Sequence, residues 1–182
     1  MLLYIPNESH RNLVFLDTEF NDKKLIQVSM IIYENYMVQN VSCYLLKGSL
    51  NLYINNEINF FFTRYTGINQ DFLDANGIPQ EDAVEIIQEF IKDSILADSL
   101  FIAHGIKQDM TLMESIGINF GSAERYCTYN NSKRLLNREK NLRLIDVCNE
   151  SGYFAEQHDA YSDAKNVVHA FSYLKLVEAI AR

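Results

Sequence analysis

Two carboxylates one residue apart close the apolar run Leu13-Val14-Phe15-Leu16-Asp17-Thr18-Glu19-Phe20. A short continuous apolar run reads as a strand buried on both faces. Side chains alternate across a strand, so Asp17 and Glu19 project to the same side. Two like charges at the end of a buried strand repel and are poorly solvated. They need a cation, a proton or hydrogen-bond donors. Hard divalent ions such as Mg²⁺ or Mn²⁺ prefer oxygen ligands and meet that need. Taken alone, the motif also fits a turn or a helix N-cap with solvated acids.

Further acids and histidines recur at similar places. Leu100-Phe101-Ile102-Ala103 is a second buried-strand candidate, ending at His104-Gly105, with Asp109 at the start of a helix that runs to Ile116. Near the C-terminus, His158 precedes Asp163 by five residues. One continuous helix would not put that pair on a single face. His158 is therefore expected on the loop entering the last helix and Asp163 in its first turn, both aimed at one spot. The plainer reading of each acid is a first-turn carboxylate favoured by the helix dipole.

The chain has 182 residues, 48% of them hydrophobic and 22% charged, which suits one domain over 1–182 with a real core. Cys43, Cys127 and Cys148 are far apart without a CxxC pair. That excludes a zinc or disulfide framework and suits a reducing cytoplasmic setting. The N-terminal Met1-Leu2-Leu3-Tyr4-Ile5-Pro6 lacks the features of a signal peptide, and no apolar run approaches a membrane span. The net charge of −8 argues against charge-driven coating of nucleic acid, but not against a metal site that grips a few nucleotides.

The elements that must position these groups can be read in outline. After Asp17 comes a polar turn, Asn21-Asp22-Lys23-Lys24. Leu25–Tyr33 and Met37–Leu46 then read as strands, with a hairpin turn at Glu34-Asn35-Tyr36. Residues 1–12 are an edge segment or unassigned. Within the irregular stretch 47–76, Phe60-Phe61-Phe62 reads as core rather than a base-stacking platform. Thr66-Gly67-Ile68 reads as a turn into a short helix near Asp71. Helical spacing covers Gln80–Ile95, Tyr126–Tyr129 is a strand, and Ser132–Leu136, Leu142–Asn149 and Asp159–Ala181 are helices. Three strands followed by alternating helix and strand make a mixed α/β sheet with helices on its faces.

Asp17-x-Glu19, His104-Gly105-x-x-x-Asp109 and His158-x-Ala160-x-x-Asp163, in that order, resemble the three motifs of the DEDDh 3′→5′ exonucleases, which include RNase T, oligoribonuclease and the proofreading subunit of the bacterial replicative polymerase. The resemblance covers roughly residues 11–180, and the Thr66-Gly67-Ile68 turn fits the family's segment before its second motif. It implies a ribonuclease H-like fold, a five-stranded mixed sheet with its first three strands antiparallel, flanked by helices. It implies two divalent ions, Mg²⁺ or Mn²⁺, with Asp17 bridging both. Glu19 and Asp163 would complete the ion that holds the attacking water, and Asp109 would serve the second. Such an ion pair can stabilise the attacking and leaving oxygens of an in-line phosphoryl displacement. His158, with a pKa near the working pH, can act as general base.

The implied partner is DNA or RNA with a free 3′ end, as single strands or short oligonucleotides, without a membrane. Homodimers are common among such relatives, although no residue here establishes one. Thr18, Phe20, His104, Lys133 and Arg134 are candidates for substrate contact. Phe20 is placed to stack on the terminal base or to sit at a rim. Lys133 and Arg134 belong to a basic group with Arg138, Lys140 and Arg143, for which a solvated helix face is the plainer reading. His169 is expected to be structural. The sequence departs from the family at Gly105, where Asn is usual, at Gln108, where an aromatic is frequent, and at Phe20, where threonine and glycine often follow. Two rivals stay open: a phosphodiesterase for cyclic or very short nucleotides, and a catalytically silent binding module on the same fold.

Overall fold

A computed structural model describes residues 2–38, 41–153 and 159–181. Strands β1 (Leu2–Leu3), β2 (Asn12–Asn21), β3 (Lys24–Val38), β4 (Val41–Tyr53), β5 (Ser99–Ala103) and β6 (Glu124–Cys127) form one sheet in the order β1-β4-β3-β2-β5-β6. The pairs β2/β3, β3/β4 and β1/β4 are antiparallel, whereas β2/β5 and β5/β6 are parallel. The five longer strands are the expected mixed sheet, and the two-residue β1 extends its antiparallel edge. Helices are α1 (Phe60–Thr66), α2 (Gln70–Asn76), α3 (Gln80–Leu96), α4 (Ile106–Ser115), α5 (Thr128–Leu135), α6 (Leu144–Glu150) and α7 (Ala160–Ile180).

Strand β2 lies at the centre and divides the core by residue parity. Val14 and Leu16 pack with Val28, Met30, Ile87, Ile91, Met110 and Met113 against α3 and α4. Leu13 and Phe15 pack with Ile31, Val147, Val167, Phe171 and Leu174 against α6 and α7. Phe15 meets Phe171 edge to face at 5.7 Å between ring centroids. Burial on both faces explains why this strand reads as an uninterrupted apolar run rather than an alternating one. The same parity carries forward: Asp17 and Glu19 continue the α7 face, and Thr18 continues the α4 face.

The β2–β3 connection is a two-residue turn. Asn21 pairs with Lys24, and Asp22 and Lys23 take positive φ values of 48° and 68°. This geometry matches the right-handed strand twist, and Asp tolerates it better than most residues. A bulge falls between Glu19 and Phe20, where Ile26 is the extra residue on β3. Bulges of this kind sharpen the local twist, here directly beside the carboxylates.

Two expectations need correction. Glu34, Asn35 and Tyr36 are not a turn: they pair with Leu45, Tyr44 and Cys43 inside the long β3/β4 hairpin. Asn35 fits there because its main-chain N–H donates to the Arg11 carbonyl at 2.8 Å and its side chain reaches Tyr44 Oη. A polar residue so satisfied has no need of a turn. Phe60-Phe61-Phe62 is not a core segment as a unit. Only Phe62 is buried, with Ile26, Ile68 and Leu73, while Phe60 and Phe61 face outward. Among the described residues, no helix is long and apolar enough to cross a membrane.

Candidate active site

Asp17 and Glu19 leave the end of β2 on the face that α7 covers, and Asp163 enters from the first turn of that helix. Carboxylate oxygens of the three lie within 4.8 Å of one another. Asp109 comes from the other face of the sheet, in the first turn of α4. It is buried, and the Thr18 hydroxyl donates to its Oδ1 at 2.8 Å. Asp17, Asp109 and Asp163 line one cleft of about 570 Å³, together with Thr18, Phe20, Tyr65, His104 and Arg143.

The electrostatics follow from crowding acids in a half-dry cleft. Burial, then the neighbouring charges of Asp109, Asp163, Glu19 and Asp159, holds the Asp17 carboxyl well above the usual carboxylate range. Burial and the charges of Asp163, Asp159 and Asp109 push Glu19 up to about 7. Burial pushes Asp109 up to about 6, although its hydrogen bonds with Thr18 oppose the rise. These groups resist ionisation because burial and like-charged neighbours disfavour the charged form. The donor set is all oxygen, closely spaced and short of counter-charge, which fits a hard divalent cation.

Side chains beyond the motifs fix the arrangement. Asp159 caps α7 and accepts from the main-chain N–H groups of Tyr161 and Ser162 at 3.0 and 3.2 Å. Burial raises its pKa, but those bonds and one from Gln27 outweigh it, and Asp159 stays below the ordinary range. Gln27 is fully buried opposite Glu19 in the β2/β3 ladder. Its Nε2 donates to Asp159 Oδ1 at 3.2 Å and to Asn51 Oδ1 at 2.9 Å, and its Oε1 accepts from the Ala160 N–H at 3.2 Å. Gln27 therefore clamps the start of α7 to the strand that carries the acids. One turn on, Asn166 Nδ2 donates to Asp163 Oδ1 at 2.9 Å. Sequence reasoning missed Gln27, Asn166 and the cap Asp159. An Asp directly before an apolar helical run signals a cap, whereas a glutamine inside a strand signals nothing by itself.

His104 lines the cleft, yet both its ring nitrogens are engaged. Nε2 lies 3.0 Å from the Leu142 carbonyl, which can only accept, so Nε2 carries the proton and Nδ1 accepts from Thr128 Oγ1 at 2.9 Å. Burial pushes its pKa down to about 4. His104 thereby ties the segment before α6 to the end of β5 and sets Arg143 at the cleft mouth. Arg143 makes a two-pronged bond to Asp146, with both distances 2.9 Å. The basic contribution to the cleft comes from Arg143. Lys133 and Arg134 sit in the last turn of α5, and Arg134 pairs with Glu178, fifteen residues along α7 from Asp163 and about 22 Å away at helical rise. Phe20 lines the cleft at 38% exposure. A Cβ at Gly105 would lie 3.8 Å from Asp109 Oδ2, an ordinary contact, so space does not demand glycine there. His169 stacks on Tyr153 at 3.7 Å, in keeping with a structural role. His158 lies outside the described residues.

Glu19 and Asp109 keep their protons to higher pH folded than unfolded, so folding takes up protons between about pH 4.5 and 7. Stability of the metal-free protein should therefore fall as pH rises through that window. Melting curves with and without Mn²⁺ should diverge over the same interval, with the metal restoring the loss. Gln27→Leu nearly keeps the volume but removes the bonds to Asp159 and to the Ala160 N–H that hold the start of α7. It should cost about 1–3 kcal/mol in urea unfolding and weaken Mn²⁺ binding at least tenfold; unchanged metal affinity would count against the clamp.

Comparison with known proteins bears on this site. The exonuclease family model of RNase T matches residues 14–171. No curated protein matches the sequence. Among solved structures, E. coli exonuclease I in complex with a dA16 oligonucleotide superposes with a TM-score of 0.70 at 13% identity, over 91% of this chain and 41% of that one. A 3′-exonuclease described in 3′-end-specific recognition of a histone mRNA stem-loop gives 0.71 at 12% identity, over 94% of this chain and 65% of that one. This chain thus spans less than two thirds of the length of either structure, and at such identities the likeness shows the fold, which is ribonuclease H-like. With the family model covering most of the sequence, the chain belongs to the RNase T-type exonuclease family.

Proposed function

We propose that this chain is a metal-dependent 3′→5′ exonuclease of the DEDDh kind, releasing nucleoside 5′-monophosphates from single-stranded nucleic acid or short oligonucleotides. The observation that carries the reading is the meeting of Asp17, Glu19 and Asp163 within 4.8 Å, in a cleft that also holds Asp109. Asp17, Glu19 and Asp163 would hold one divalent ion, and Asp17 with Asp109 a second. Mg²⁺ or Mn²⁺ bound there supplies Lewis-acid stabilisation of the attacking and leaving oxygens.

The chain's own groups account for the rest. Phe20 and Tyr65 offer rings at the cleft on which a terminal base can stack. Arg143 offers a guanidinium at the mouth for a phosphate, while Thr18 fixes the rotamer of Asp109. His158 is the neighbour in sequence of Asp159, the anchored cap of α7, and is the base of the reading. It takes the proton of the attacking water as that oxygen bonds to phosphorus. The P–O3′ bond breaks, and the new 3′ oxygen gains a proton from solvent. His104 is unsuited to this task because both of its nitrogens are already bonded.

A second reading, a phosphodiesterase for cyclic or very short nucleotides, gains support from the net charge of −8, which disfavours long polyanions. Rates on a dinucleotide, a cyclic dinucleotide and a twelve-nucleotide strand separate the two.

Incubated with Mg²⁺ or Mn²⁺, a 5′-labelled oligonucleotide should shorten stepwise from its 3′ end, and EDTA or Asp17→Ala should abolish the shortening. Shortening that survives both would contradict the reading. His158→Ala should lower kcat by a factor of about 10²–10⁴ while Mn²⁺ affinity stays within a fewfold; equal losses in both would remove the base role.

A further inference from the structure

The three most exposed aromatic rings among the described residues lie together. Phe60, Phe61 and Tyr65 all lie on α1, at 72%, 76% and 66% exposure. Phe61 and Tyr65 are four residues apart and share a helix face, about 6 Å from one another along the axis. Phe60 and Phe61 touch edge to face, with centroids 6.0 Å apart. Tyr65 lines the catalytic cleft, so the helix face it shares with Phe61, with Phe60 against Phe61, adjoins that cleft.

The helix that carries them is fixed to the strand that carries the acids. Asn59 caps α1 by accepting from the Phe62 N–H at 2.9 Å, and its own Nδ2 donates to Asp22 Oδ2 at 3.2 Å. Asp22 lies in the turn that directly follows β2. Phe62 seats the opposite side of the helix on Ile26, Ile68 and Leu73. Gly67, with φ of 79°, ends the helix in the left-handed conformation. Two adjoining large apolar side chains kept in water on so well anchored an element make a patch of the kind that marks a binding surface.

We propose that Phe60 and Phe61 form a stacking surface for the bases upstream of the terminal nucleotide, on a single strand whose 3′ end lies in the cleft. Continuity through Tyr65 identifies the occupant. Stacking also suits an acidic protein, which cannot rely on phosphate attraction for length-dependent affinity, because every base presents an aromatic face whatever its sequence. The inference rests on the exonuclease reading, but its test reads binding separately from cleavage.

The test measures fluorescence anisotropy of 5′-labelled oligothymidylates of ten and of two nucleotides, with Ca²⁺ in place of Mg²⁺. The Phe60→Ala/Phe61→Ala double variant should bind the ten-nucleotide strand at least tenfold more weakly and the dinucleotide within twofold of wild type. Phe60→Tyr/Phe61→Tyr should restore the longer strand's affinity. Under Mg²⁺, KM on the ten-nucleotide strand should rise in parallel while kcat holds. Equal weakening of both lengths, or no weakening of either, overturns the proposal. Ring-dependent binding without any hydrolysis would uphold the surface and sink the exonuclease reading instead. Hydrolysis with ring-independent binding would do the reverse.

Discussion

Mutual repulsion among desolvated carboxylates is the constraint around which this molecule is arranged. Asp17, Glu19 and Asp163 are held closer than free acids would settle, and Asp109 adds a fourth charge from the opposite side of the sheet. Left alone, such a group would spread apart or keep its protons. It does not spread, because each member is tied to an element whose position is fixed by packing elsewhere. The energy that holds the acids together therefore comes from the two apolar layers on either side of β2, and the site concentrates the strain.

The parity of β2 converts packing into chemistry. Leu13 and Phe15 bind the strand to α7, and Asp17 and Glu19 inherit that face and meet Asp163. Val14 and Leu16 bind it to α4, and Thr18 inherits that face and meets Asp109. One strand thus addresses two helices on opposite sides of the sheet through consecutive residues. Gln27 and Asn166 finish the work at the α7 end, giving Asp159 and Asp163 fixed amide donors. Their side-chain dipoles orient the acids without neutralising them, which keeps the demand for a cation high.

Much of this was legible in the sequence. The Leu13–Leu16 run, the Asp17/Glu19 spacing and the first-turn positions of Asp109 and Asp163 each follow from local periodicity, and the order of the motifs assembles them. What was illegible depends on distant partners. Asn35 reads as a turn residue until Tyr44 and Arg11 are seen to satisfy it inside a long hairpin. Phe60 and Phe61 read as core because aromatic residues usually are, and only the seating of Phe62 shows which ring the helix buries. Arg143 resembles its basic neighbours in sequence, and His104, by fastening Leu142, is what brings it to the cleft.

Calorimetric titration of Mn²⁺ at pH 6.5, in buffers of differing ionisation enthalpy, probes the assembled acids most directly. With Glu19 lifted to about 7, metal entering the cluster should expel protons, so the apparent heat should change with the buffer. Asp17→Asn should lose most of the binding. Mn²⁺ binding that releases no protons at pH 6.5, or that survives Asp17→Asn undiminished, would show that the four carboxylates are not one metal-seeking cluster.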